Sequence, residues 1–146
     1  MATSTHEEIR IGELAIRPRV EPDESGGAVA IHEFDVPAGA GLPLAHSHDN
    51  YEETVYGLAG TVTFTIEGTP NDIGPGQAVC IPRGAVHSFA NTGQVDATAL
   101  AIVTPGVLGA DYFREVAAIL DGAAGGPPDL TAIGEVMRRH GLTPAP

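Results

Sequence analysis

The chain has 146 residues, a formal charge of −12 and a sequence pI near 4.6. That length suits one ordinary domain around a single core, and the acidity repels nucleic-acid backbones and anionic membrane surfaces, so neither is expected as a partner. The single cysteine, Cys80, excludes an internal disulfide, and its apolar neighbours predict a buried, inert thiol. The start "MATSTHEEIRIGELAIRP" lacks a basic and apolar leader, and no window reaches the roughly 20 apolar residues of a membrane span, so the expected compartment is the cytoplasm.

In chain order, glycine and proline recur at short intervals through the first two thirds and divide it into short runs with a strand's period. The runs are "AVAIHEFDV", "EETVYGLAG", "TVTFTIEG", "QAVCIP", "VHSFAN" and "ATALAIV". The third is the clearest, with Val62, Phe64 and Ile66 on one face and Thr61, Thr63 and Thr65 on the other. Many short strands with closely spaced turn signals predict an all-β sandwich or barrel. After Pro105 the pattern becomes helical. Asp111 is expected to cap "YFREVAAIL", where Tyr112, Val116 and Ile119 form one apolar stripe and Phe113, Ala117 and Leu120 the next. "DGAAGGPP" breaks the chain, and a second helix is expected from the Asp129 cap through Leu130, Ile133, Val136 and Met137 to His140, with Gly141 ending it. The pair is too short for a second domain. The organisation expected is one domain over 1–146, with a barrel at about 10–104 and a helical tail at about 110–141 that closes off an apolar surface.

The segment "AHSHDNYEETVYGLAG" carries the chemistry. On a strand, residues two apart share a face, so the imidazoles of His46 and His48 project together from alpha carbons roughly 6.6–6.8 Å apart. Past the polar corner "DNY", Glu53 can offer a carboxylate to the same point, and His87, after the turn "PRGAV", can supply a third imidazole. Glu52 competes with Glu53, but adjacent residues face opposite sides of a strand, which makes Glu52 the solvated one. His6, His32 and His140 lack partners at ligand spacing; His6 and His140 are expected at the surface. In phase with Glu53 lie Val55 and Gly57, and in phase with His87 lie Phe89 and Asn91; these four are the expected walls of a substrate pocket. With few charges among them, the pocket suits a small apolar or aromatic molecule. Only Arg83 lies near enough to hold a phosphosugar, too little for that substrate class.

These residues closely match a known family. Gly41 to Gly60 resembles the first cupin motif, with His46, Ser47, His48, four residues, Glu53, six residues and Gly60; it departs only in having four residues, not five, between Gly41 and His46. Gly76 to Asn91 resembles the second motif in full, with five residues, Pro82, Arg83, Gly84, two residues, His87, three residues and Asn91. Fifteen residues separate Gly60 from Gly76, and the tail is similar to small bacterial quercetin dioxygenase-like cupins.

The resemblance implies a double-stranded β-helix, the cupin jelly-roll barrel, followed by two short helices. It also implies one metal ion per chain, held by His46, His48, Glu53 and His87. Three imidazoles and a carboxylate suit divalent Fe, Mn, Ni, Cu, Co or Zn, and a six-coordinate ion would keep two positions open. The first functional expectation is a mononuclear metal oxygenase for a small apolar or aromatic substrate, with Glu53 as ligand and proton acceptor. Its alternatives are a non-oxidative isomerase or lyase and a small-ligand binding protein without turnover. Cupins of this size resemble homodimers, and the apolar strand faces and helices agree with that.

Overall fold

A computed structural model describes residues 7–146. Its strands are β1 (Ile9–Ile11), β2 (Leu14–Val20), β3 (Ala30–Val36), β4 (Gly41–His48), β5 (Glu52–Ala59), β6 (Val62–Ile66), β7 (Thr69–Ile73), β8 (Ala78–Ile81), β9 (His87–Ala90), β10 (Ala97–Thr104) and β11 (Leu142–Pro144). Two helices, α1 (Ala110–Gly122) and α2 (Leu130–Arg139), precede β11. The strands form two antiparallel sheets, a six-stranded one ordered β1-β2-β3-β10-β5-β8 and a five-stranded one ordered β11-β4-β9-β6-β7. Together they make the jelly-roll barrel of an all-β fold, with two helices appended.

Alternation decides what fills the barrel. In β3 the inward residues Ala30, His32, Phe34 and Val36 are buried, while Glu33 and Asp35 face outward and pair with Arg17 of β2 at 2.7 Å each. In β10 the inward set is Ala97, Ala99, Ala101 and Val103. Three alanines on a central strand keep the interior between β3 and β5 open, where larger residues would fill it. Val62 and Phe64 of β6 are buried and Ile66 is half-buried, as the strand period requires.

The tail differs from the sequence expectation in two places. Helix α1 is capped by Gly109, not Asp111; the N–H of Ala110 donates instead to the Glu21 carboxylate at 3.1 Å, and Asp111 sits exposed in the first turn beside Arg114. A distant carboxylate thus supplies the charge the helix N-terminus favours. Asp129 does cap α2, accepting from the N–H of Ala132 at 3.0 Å. The chain then continues past Gly141 into β11, which pairs with β4. Cys80 is exposed, not buried: it lies on edge strand β8, where Ile81 takes the inward side. No helix among the described residues is long and apolar enough to cross a membrane. His6 lies outside the described residues.

Candidate metal centre

Strand β4 projects His46 and His48 from one face, and β9 brings His87 directly opposite His46 in the ladder. Between Leu42 and His46 the β4–β9 register shifts, in the stretch that contains Pro43. Such an irregularity re-aims the residues that follow it, and proline is tolerated there because no ladder donor is required. His87 arrives by a tight turn in which Ala85 N–H donates to Pro82 at 3.2 Å. Gly84 holds φ at +78° in this turn, a conformation that disfavours a side chain, and its N–H donates to the His48 carbonyl at 2.9 Å. The turn is thereby tied to the strand that carries the other two histidines.

One donor nitrogen from each of His46, His48 and His87 falls within 4.8 Å of the other two, and all three residues are buried. Their outer nitrogens settle the tautomer of two rings. His46 Nδ1 lies 2.7 Å from the Leu44 carbonyl and His87 Nδ1 lies 2.9 Å from that of Ala85. A carbonyl only accepts, so each Nδ1 carries the hydrogen and each Nε2 keeps a lone pair for the interior. His87 Nε2 and His48 Nδ1 are buried without a hydrogen-bond partner among the described residues. An unpaired buried nitrogen costs stability in a merely structural cluster. His87 Nε2, which faces Glu53 within the cluster, is what a metal-binding set requires, so the residues fit a transition-metal ion.

The two glutamates separate as strand geometry demands. Glu53, opposite Val103 of β10 and Ile81 of β8, turns inward and places Oε2 3.4 Å from His87 Nε2 and 3.8 Å from His48 Nε2. Glu52 turns outward and accepts from Arg83 Nε at 2.9 Å.

Burial lowers His46, helped by the nearby His87, and lowers His48 to about 4, so both rings are neutral at pH 7. Burial also disfavours the charged form of His87, but its contact with Glu53 outweighs this and raises it above the ordinary value. For Glu53, burial alone would raise the carboxyl; the contact with His87 and the fields of His48, His87 and His32 win, and it is held at about 2. Of the three imidazoles, His87 is thus the one whose protonated form the fold favours, and a cation entering the site competes with that protonation.

A cavity opens beside this cluster. Phe34, Leu42, Leu44, Phe64 and Phe89 form much of its wall, and Leu108 with Tyr112, Phe113 and Val116 of α1 closes it on another side. The centre of a water molecule can range over about 60 Å³ of it, several times the roughly 10–15 Å³ one bound water needs. Of the four expected wall residues, only Phe89 lines it.

The other three are placed elsewhere for identifiable reasons. Val55 is fully buried in the core. Gly57 lies where an added Cβ would come 2.1 Å from the Gly74 carbonyl, so it serves close backbone packing. Asn91 locks a loop, its amide donating to the carbonyls of Val36 at 2.9 Å and Val95 at 2.8 Å.

Two residues at the site escaped the sequence reading. Tyr51 stacks on His48 with ring centroids 4.7 Å apart and donates its hydroxyl to the His140 carbonyl at 3.1 Å. His32 is buried and lines the cavity. Its phase with Phe34 in "AVAIHEFDV" was the available signal. His140 is partly buried, its Nε2 2.9 Å from the Glu115 carboxylate and its ring against Tyr112.

Comparison with known proteins follows the same lines. The family described as "Cupin domain" matches residues 32–103, which span β3 to β10 and contain all four expected ligands. Protein SchB of Streptomyces halstedii is 38% identical over 52 residues, a match covering 36% of this chain and 38% of that protein. The chain thus spans well under half the length of that relative.

Solved structures share the fold, among them the following two. One, from Thermotoga maritima and described as a predicted oxalate decarboxylase, has a TM-score of 0.64 at 23% identity and covers 72% of this chain and 99% of the other. The polyketide cyclase RemF from Streptomyces resistomycificus has a TM-score of 0.59 at 19% identity, covering 79% and 89%.

Proposed function

This chain is a member of the cupin superfamily, and from that premise we propose that it is a metal-dependent oxygenase acting on a small, mainly apolar or aromatic molecule that carries an enol or phenol oxygen. The observation that carries the reading is the convergence of three imidazoles, two with Nδ1–H pinned to backbone carbonyls, at the polar end of an otherwise apolar cavity. His46, His48, Glu53 and His87 hold one divalent ion; the donor set suits Fe, Mn, Ni, Cu, Co or Zn. When bound, that ion supplies Lewis acidity and, if redox-active, electron transfer with dioxygen.

The protein supplies orientation and exclusion of water. Apolar walls leave an ionised substrate oxygen stable only at the histidine end, which fixes its orientation. Glu53 is the carboxylate within reach of a proton leaving that oxygen. A non-oxidative metal-dependent isomerase or lyase is the second reading: the same residues can hold an ion that acts only as a Lewis acid, and Glu53, whose Oε2 faces the histidine cluster, is the carboxylate that can accept a substrate proton without an oxidant.

The experiment is dioxygen uptake by protein loaded in turn with Fe(II), Mn(II), Ni(II) and Cu(II), against catechols, flavonols and β-diketones, with substrate loss followed in parallel. Uptake matched to substrate loss supports the oxygenase. Substrate loss without uptake transfers the assignment to the second reading. Binding without turnover across the panel leaves a ligand-binding protein.

A further inference from the structure

His32 has no role in the chemistry so far, yet it is in an expensive position. It is 3% exposed, its Nδ1 is buried with no hydrogen-bond partner among the described residues, and it lines the cavity. The rung it occupies explains its reach: His32 lies opposite Ala101 of β10, which lies opposite Val55 of β5, and the small Ala101 leaves the imidazole open to the interior. Phe113 of α1 packs edge-on against the ring, with centroids 4.8 Å apart, and fixes its tilt. Burial keeps the ring neutral at pH 7, lowering it to about 4 against the opposing pull of Glu53. A neutral imidazole offers one donor and one acceptor. An orphaned buried nitrogen costs stability that an apolar residue of similar size would not.

We infer that His32 is the second polar anchor of the cavity, hydrogen-bonding the far end of a ligand whose near end is an oxygen donor to the histidine cluster. The inference rests on the metal-site reading above and narrows the ligand class: a small compound with an apolar skeleton carrying two separated oxygen functions, not a hydrocarbon with one. His32 thereby selects among ligands; it is not one of the three imidazoles that converge at the cluster.

The test uses zinc-loaded full-length protein, which binds without redox turnover, and two probes measured by isothermal titration: catechol, and 3,4-dihydroxybenzaldehyde, which adds a distal carbonyl. The quantity read is the ratio of their affinities in wild type divided by the ratio in His32→Leu, which cancels the intrinsic difference in metal affinity between the probes. A neutral hydrogen bond predicts a value of roughly 2- to 12-fold, with zinc affinity and catechol affinity unchanged. His32→Gln, which keeps a donor and an acceptor, should recover part of the ratio, and it carries the test if the leucine variant does not fold. Melting of the metal-free protein gives a second readout: His32→Leu should melt no lower than wild type, because it removes an orphaned polar atom. Equal ratios in wild type and variant, failure of zinc-loaded wild type to bind either probe, or a lower melting temperature overturns the inference. Failure of wild type to bind zinc removes the metal reading itself.

Discussion

Replacing Glu53 by Gln tests whether the inward carboxylate is a ligand. The substitution keeps the side chain's shape and deletes its charge. Its size can be worked from the metal-free protein, where the surrounding imidazoles hold Glu53 at about 2 against an ordinary value of 4.5. At 1.36 kcal/mol per tenfold, that gap means that the charged form is favoured by about 3 kcal/mol, despite a burial cost acting against it. A divalent cation carries twice the charge of any one imidazolium, so its attraction to the carboxylate is at least comparable. Deleting the charge should therefore weaken zinc or cobalt binding by about 3 kcal/mol, roughly 150-fold in Kd. Glu52→Gln should change affinity by less than about threefold, because Glu52 faces outward onto Arg83 in a pair exposed enough to matter little. The assay is competition with a chromophoric chelator at pH 7.5. A loss under fivefold for Glu53→Gln refutes the reasoning and leaves a three-histidine site. Equal losses for both glutamates refute the inward–outward assignment.

Further outcomes follow from the same geometry. His48→Ala should lower metal content and any catalytic activity together, as read by elemental analysis beside the dioxygen assay; full occupancy in the variant removes His48 from the ligand set. In the presence of EDTA, stability should fall as pH drops from about 6.5 toward 4, because His32 and His48 are each held at about 4 in the fold. A lowered histidine contributes stability that is complete above its unfolded value and lost as pH falls through its folded one, on the order of 3 kcal/mol for each. His87, which is raised, opposes part of this loss; a urea midpoint that stays flat or rises over this range contradicts the neutral assignment. Assembly should be a symmetric homodimer through the outer face of the six-stranded sheet. There Tyr56 and Leu58 are 40% and 41% exposed, and Tyr56 lies in register with Leu100 and Ala78. Light scattering should show a dimer at tens of micromolar and a monomer for Tyr56→Glu, and a wild-type monomer would count against the interface.

The candidate ligands were legible because each rests on a short-range rule. Period two puts His46 and His48 together and separates Glu53 from Glu52, and the spacing "PRGAVH" encodes a turn that fixes His87. The pocket was less legible because alternation gives a side chain's face but not what stands across from it. Val55, Gly57 and Asn91 point inward, yet the core, a neighbouring backbone and a loop claim them. Leu42, Leu44 and α1 take their place on the wall. Cys80 failed for a related reason: apolar neighbours predict burial only when both faces of a strand are covered, and in β8 only Ile81, on the inward side, is buried. His32 had the right phase but no ligand spacing, and only the three alanines of β10 make the space it faces.

The tail shows how a site encoded locally can depend on distant residues. Without β11, the strand carrying His46 and His48 would be a sheet edge, with an unpaired row of backbone groups and freedom to shift. In the fold, Leu142 lies opposite His48, Thr143 opposite Ser47 and Pro144 opposite His46. Asp49 N–H donates to Gly141 at 2.8 Å, and the Thr143 hydroxyl donates to the Asp49 carboxylate at 2.7 Å. Gly141, at φ +81°, is the joint: its left-handed turn releases the chain from α2 into the strand, and a Cβ there would stand 3.3 Å from the Tyr51 ring. Tyr51 completes the brace, with one face on the His48 imidazole and its hydroxyl on the carbonyl just before the joint. A metal site requires its ligands held to within about 0.5 Å, and here the tail supplies that restraint on one side while the Pro82–Ala85 turn supplies it on the other. Helix α2 therefore does more than cover apolar surface. By burying Ile133, Val136 and Met137 it anchors the segment that holds two of the three histidines in place.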